Sequence, residues 1–158
     1  MNRDYILIFM GLVISAIFLI ILIPRSKVRE AFVIFSFTQT ITWLLGLTVV
    51  ELRLIEYPAR LFPYSNKTSF SFEYFIYPAI SCIFVLYYPK NKNIFKKFMY
   101  YFYFCTTITI AEIFIERYTH IIKYIHWNWY ITWISLFITL YIPQKFYEWF
   151  FKTRQNNE

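Results

Sequence analysis

Residues Tyr5 to Ile23 read YILIFMGLVISAIFLIILI, an unbroken apolar run closed by Pro24 and the basic cluster Arg25, Lys27 and Arg29. At about 1.5 Å per helical residue, a run of this length crosses roughly 30 Å, the thickness of a bilayer's hydrocarbon core. Working outward, four more blocks follow: Ala31 to Val50, Phe70 to Tyr88, Phe98 to Glu116 and Ile125 to Ile142. The pattern predicts an all-α polytopic membrane protein, a single membrane domain over residues 1–158 with helices at about 5–23, 31–50, 70–88, 98–116 and 125–142. A cleavable signal would start basic and end in a small-x-small site. Here Arg3 is followed at once by Asp4 and no such site appears, so the first run is expected to be a retained helix.

Composition excludes the main alternatives. Of 158 residues, 59% are apolar or aromatic and 16% charged, whereas a soluble domain carries about a quarter charged residues to cover its surface. A soluble enzyme and a disordered chain are therefore excluded. The net charge of +7 is scattered rather than arranged as a stripe that tracks phosphates, so no nucleic-acid partner is expected. Cys82 and Cys105 fall inside apolar blocks, are too few for a disulfide framework, and read as packed thiols.

Loop charge sets the expected orientation. With five spans, one side holds ten basic residues: Arg25, Lys27, Arg29, Lys90, Lys92, Lys96, Lys97, Lys145, Lys152 and Arg154. The other holds six: Arg3, Arg53, Arg60, Lys67, Arg117 and Lys123. The positive-inside rule then places the N-terminus outside and the C-terminus inside. The longest connection, Leu52 to Ser69, carries Pro58, Pro63 and the run Ser65-Asn66-Lys67-Thr68. It reads as a loop with an interfacial helical turn under Leu54, Ile55, Leu61 and Phe62. Residues 143–158 read as an interfacial and cytoplasmic tail beginning at Pro143. Pro78, in the third block, has no N–H for the preceding turn, so a bend is expected there, with Gln39 or a threonine of a neighbouring helix serving the freed carbonyl.

Ionisable groups gather at the outer end: Glu51, Arg53 and Glu56 after the second block, Glu73 one turn into the third, and Glu112, Glu116, Arg117 and His120 closing the fourth, with His126 opening the fifth. A carboxylate facing lipid is costly, so these groups are expected to turn inward as one binding cluster, with Glu73, Glu112 and Glu116 meeting Arg53 and His120 in an outer-facing polar cavity. Glu112, Glu116 and His120 recur at i, i+4 and i+8 and would share a helical face, the spacing of a metal site. Without a zinc-binding signature the plainer reading is carboxylates paired with Arg53, Arg60 or Arg117. Glu73, Glu112 and Glu116 are also candidate catalytic acids, since two carboxyl groups in a poorly hydrated pocket can divide acid and base roles. No nucleophile motif or phosphate loop accompanies them, and no cofactor is expected.

Trp127, Trp129, Tyr130 and Trp133 sit where an outer aromatic belt belongs. Gly11 and Ser15 form a small-xxx-small pair suited to close helix approach. Asn66-Lys67-Thr68 has the form of a glycosylation acceptor, relevant only in a eukaryote.

Three stretches carry a resemblance: Glu51-Leu-Arg53-Leu-Ile-Glu56-Tyr-Pro58-Ala-Arg60-Leu-Phe62-Pro63, then Ser69-Phe-Ser-Phe-Glu73-Tyr74-Phe-Ile-Tyr77-Pro78, then Glu112 and Glu116 with Tyr124-Ile-His-Trp127. Together they resemble an uncharacterised family of small multi-pass membrane proteins from endospore-forming Gram-positive bacteria. The resemblance implies a bacterial cytoplasmic membrane and supplies no activity, substrate or catalytic residue. The functional expectation is a non-catalytic membrane component whose partners are the lipid bilayer and another membrane protein or a second copy. A membrane enzyme acting on a lipid or polyisoprenoid at the outer leaflet is the alternative, and a small oligomeric pore or carrier the third.

Overall fold

The computed structural model describes residues 3–155, with side chains through Phe151, so the rest of the expected tail lies outside the described residues. The chain is 75% helical. Five α-helices follow in order: α1 (Arg3–Leu22), α2 (Val28–Glu51), α3 (Tyr77–Leu86), α4 (Ile94–Tyr118) and α5 (Trp129–Gln155). Two-residue strands β1 (Ile55–Glu56) and β2 (Lys123–Tyr124) lie in the α2–α3 and α4–α5 connections. Three helical stretches are long and apolar enough to cross a membrane: Arg3–Leu22, Arg25–Glu51 and Ile94–Tyr118. The helical stretch Phe72–Leu86 is apolar but short, and α5 dilutes its isoleucines with Trp, Tyr, Thr and Gln.

Packing runs α1 on α3, α3 on α2, and α2 and α3 on α5, with α4 against α5. Ile20 (80% exposed) and Phe32 (73%) stand on the outside of α1 and α2. Apolar faces of this extent are unfavourable in water and natural in hydrocarbon. At one end β1 and β2 pair antiparallel, Ile55 opposite Tyr124 and Glu56 opposite Lys123. Ala59 N–H donates to the His120 carbonyl (2.8 Å), and Ile125 N–H to that of Leu54 (3.0 Å). Ile55, Tyr57 and Ile122 bury a small apolar cluster beneath this cap. A β1 pairing thus stands where the sequence suggested an interfacial helical turn, because the chain extends after Leu54 and finds an antiparallel partner. Arg3 donates to the Tyr118 carbonyl, placing the start of α1 at this capped end.

Two helix boundaries differ from expectation. The fifth helix starts at Trp129 and runs through Pro143 to Gln155 rather than stopping at Ile142. Proline removes one donor but Pro143 and Gln144 are buried, so packing carries the helix past it. In the third block, a π-helical segment at Phe72–Ile76 precedes α3. Here Tyr77 N–H donates to the Phe72 carbonyl, one residue further back than in an α-helix. The acceptors that Pro78 would serve in π or α geometry are the carbonyls of Glu73 and Tyr74. Both are served from α2: Thr42 Oγ1 donates to Glu73 O (2.7 Å) and Gln39 Nε2 to Tyr74 O (2.8 Å). The expected compensation is present, and the π turn is the form the irregularity takes.

Away from the cap, the core is dense and aromatic. Phe84 is fully buried and packs its ring against Tyr88, Tyr100, Tyr101 and Phe104. Cys82 and Cys105 are free and buried, as packing thiols should be.

Candidate functional site

Beneath the strand cap lies a cavity of about 210 Å³ between α2, the π segment, α4 and α5. Its polar lining consists of Thr42 on α2, Tyr57 after β1, Glu73 and Tyr77, Glu112 on α4, and Thr132, Ser135 and Thr139 on α5. Leu45, Val49, Ile55, Phe72, Trp127 and Leu136 complete the wall. Among the described residues that line it, two are carboxylic acids and none is Lys, Arg or His.

Glu73 is 6% exposed and is placed by its surroundings on three sides. Thr68 Oγ1 donates to Oε2 at 2.7 Å, and the Tyr57 hydroxyl approaches Oε1 at 3.4 Å. On the third side is Gly46 of α2, where a Cβ would fall 1.7 Å from Glu73 Oε2. Only a residue without a side chain lets this carboxylate rest against the helix backbone. Burial, and then the neighbouring carboxylates of Glu73 and Glu112, push the Tyr57 phenol well above its ordinary pKa. Tyr57 therefore stays protonated and keeps its proton to donate.

Glu112 is held from α5 and β2. Its Oε1 accepts from the Tyr124 hydroxyl (2.5 Å) and from Thr132 Oγ1 (2.8 Å), while Trp127 Nε1 donates to Thr132 Oγ1 (2.8 Å). Burial, then the Glu112 charge, raises the Tyr124 phenol too. Each carboxylate thus faces the cavity through hydroxyl donors, and neither relies on a cationic side chain.

Of the expected cluster, the structure brings together Glu73 and Glu112 and leaves the others outside. Glu116 is half-buried but does not line the cavity, and Glu51, Arg53, Glu56, Arg117, His120 and His126 are exposed. The i, i+4, i+8 stripe fails at its last member because α4 ends at Tyr118. Thr119 is extended (φ −136°, ψ 171°), and its hydroxyl oxygen accepts from Ile121 N–H at 3.2 Å, so His120 leaves the helical face. Among the described residues no group of three His, Cys, Asp or Glu side chains is placed to hold a metal ion, Glu112, Glu116 and His120 included. Among the described residues no ion pair joins Glu73, Glu112 or Glu116 to Arg53, Arg60 or Arg117. Arg60 donates instead to the carbonyls of Tyr57 (2.7 Å), Asn66 (2.8 Å) and Pro63 (3.1 Å), tying the loop that carries Tyr57 and Thr68. The ion pair found among the described residues is Lys145 with Glu148 (3.0 Å), far along α5.

The residues missed from sequence are the uncharged ones: Thr42, Gly46, Tyr57, Thr68, Tyr124 and Thr132. A signal for some of them was present. Thr38, Thr42 and Gly46 recur at i, i+4 and i+8, and Thr132, Ser135 and Thr139 at i, i+3 and i+7, each a stripe of small or hydroxyl side chains on one helix face. Comparison with known proteins gives no matching family model, no similar curated protein and no similar solved structure.

Proposed function

We propose that this protein is a non-catalytic component of a bacterial cytoplasmic membrane that docks a basic group of a ligand or partner in the Glu73 and Glu112 cavity. The observation that carries the reading is the meeting of two carboxylates in one cavity whose lining holds hydroxyls and no cation. Two acids turned to the same space repel when both are charged, and an ammonium or guanidinium between them relieves that repulsion while using the remaining acceptor oxygens. The test is thermal unfolding of the purified protein with n-butylammonium as probe. Wild-type protein should be stabilised in a concentration-dependent way, and Glu73→Gln or Glu112→Gln should remove most of the shift. An equal shift in all three proteins would refute the reading.

The proposal includes five spans with the capped end outside. The ten-to-six distribution of basic residues supports it. A cysteine placed near Asn91 should be shielded from an impermeant reagent in intact cells, and a reporter fused after Glu158 should be active only in the cytoplasm. Labelling at Asn91 would reverse the orientation.

A catalytic reading keeps one specific support, the unequal settings of the two acids. Glu73 is enclosed by Thr68, Tyr57 and Gly46, whereas Glu112 is less buried and held by Tyr124 and Thr132. Such a pair suits acid and base roles on a lipid or polyisoprenoid headgroup. Headgroup turnover by wild-type vesicles that disappears in Glu112→Gln without loss of folded protein would replace docking by catalysis.

A further inference from the structure

At the opposite end from the strand cap, α1 and α2 enclose a second space of about 440 Å³. Its walls are bulky apolar side chains, including Ile20 of α1, Ile23 just after it and Phe32 of α2. Its floor is made by two small residues, Ala31 and Cys82. The floor is closed by packing: Ala31 is 5% exposed, Cys82 is fully buried, and the Cys82 thiol donates to the Ala31 carbonyl at 3.2 Å. Among the described residues of the lining, Arg25 is the one that is charged. It stands on the short connection between the helices with Lys27 and Arg29 close by in sequence. Glu30, the acid next to them, accepts from the Tyr147 hydroxyl of α5, and Arg25, Lys27 and Arg29 outnumber it in this stretch.

From this juxtaposition we infer that the α1–α2 groove binds an anionic phospholipid, one acyl chain lying over Ala31 and Cys82 and the phosphodiester headgroup meeting Arg25. Water is a poor occupant of a slot whose walls are hydrocarbon, and the bilayer supplies hydrocarbon at that depth. The charge complementarity selects among lipids: a basic mouth at the membrane surface favours a headgroup with net negative charge. Arg25 can lay its stem along Ile23 and Val28 while its guanidinium stays at the headgroup level. The site lies away from the carboxylate cavity and does not rest on the docking function proposed for it.

The test uses full-length protein carrying Phe32→Trp, reconstituted in phosphatidylcholine vesicles that contain equal mole fractions of either brominated-chain phosphatidylglycerol or brominated-chain phosphatidylcholine. Subtracting the quenching of wild-type protein isolates the added indole. Brominated phosphatidylglycerol should quench it more efficiently, Arg25→Gln should reduce that preference about fivefold, and Arg25→Lys should keep it. Equal quenching by both lipids, or a preference untouched by Arg25→Gln, would overturn the inference. Quenching that instead falls as protein density in the vesicle rises would show a second copy in the groove and overturn it too. If Arg25→Gln does not insert, salt titration of the Phe32→Trp protein decides the matter: a preference that weakens as salt rises supports the site, and one that does not refutes it.

Discussion

The capped half of the bundle and the opposite half are built from the same helices by different rules. Toward the cap, the backbone is irregular at the π turn, Gly46 removes a side chain, and hydroxyls line an open cavity. Past Pro78, α3 is a regular helix and Phe84 fills its surroundings with four aromatic neighbours. In a bilayer, helices associate by close packing and interhelical hydrogen bonds rather than by escape from water. The aromatic half provides the packing. The capped half gives up packing to keep two acids in one space, and its stability depends on hydrogen bonds from Thr42 and Gln39 to the Glu73 and Tyr74 carbonyls beside Pro78.

Substitutions should separate the halves in order of size. Phe84→Ala should be the most damaging, destabilising the protein by about 3–5 kcal/mol in denaturant titrations in micelles, while leaving the n-butylammonium response of the surviving folded fraction intact. Gly46→Val should cost about 1–3 kcal/mol through overpacking and abolish the response, because the new side chain occupies the position of the Glu73 carboxylate. Gln39→Ala removes the side-chain donor to the Tyr74 carbonyl and should cost about 0.5–1.5 kcal/mol, with faster hydrogen exchange confined to residues near the π segment. His120→Ala and Arg117→Ala, both at exposed positions, should stay within about 0.5 kcal/mol of wild type and leave the response unchanged. A loss of response in His120→Ala as large as in Glu73→Gln would return His120 to the site and erase the contrast.

What the sequence disclosed follows from which interactions are local. Pro78 lacks a donor wherever it stands, so the need for Gln39 or a threonine nearby was legible before any fold. The acids of Glu73 and Glu112 had to turn inward on grounds of cost, and they do. Neighbours across the chain were not legible. The pairing of Leu54, Ile55 and Ala59 with the segment around His120 to Ile125 spans some sixty-five residues, and no local pattern announces it. That pairing carries Tyr57, Tyr124 and Trp127 over the cavity and leaves Arg53 and His120 at the surface. Thr68 belongs to a polar run whose composition indicates a loop, yet it is fully buried against Glu73. Charged residues are legible as site candidates because burial penalises them. The polar side chains that hold the two acids are uncharged, and a threonine in an apolar helix carries no comparable burial penalty to mark it.

The central claim is that Glu73 and Glu112 share one cavity, and a double-mutant cycle in unfolding free energy tests it most directly. The shared cavity, with Tyr57 influenced by both carboxylates, predicts that the effects of Glu73→Gln and Glu112→Gln are not additive, with a coupling of about 0.5–3 kcal/mol. Additivity to within about 0.3–0.5 kcal/mol, with each single variant folded, would mean that the two acids act at separate places and would contradict the account.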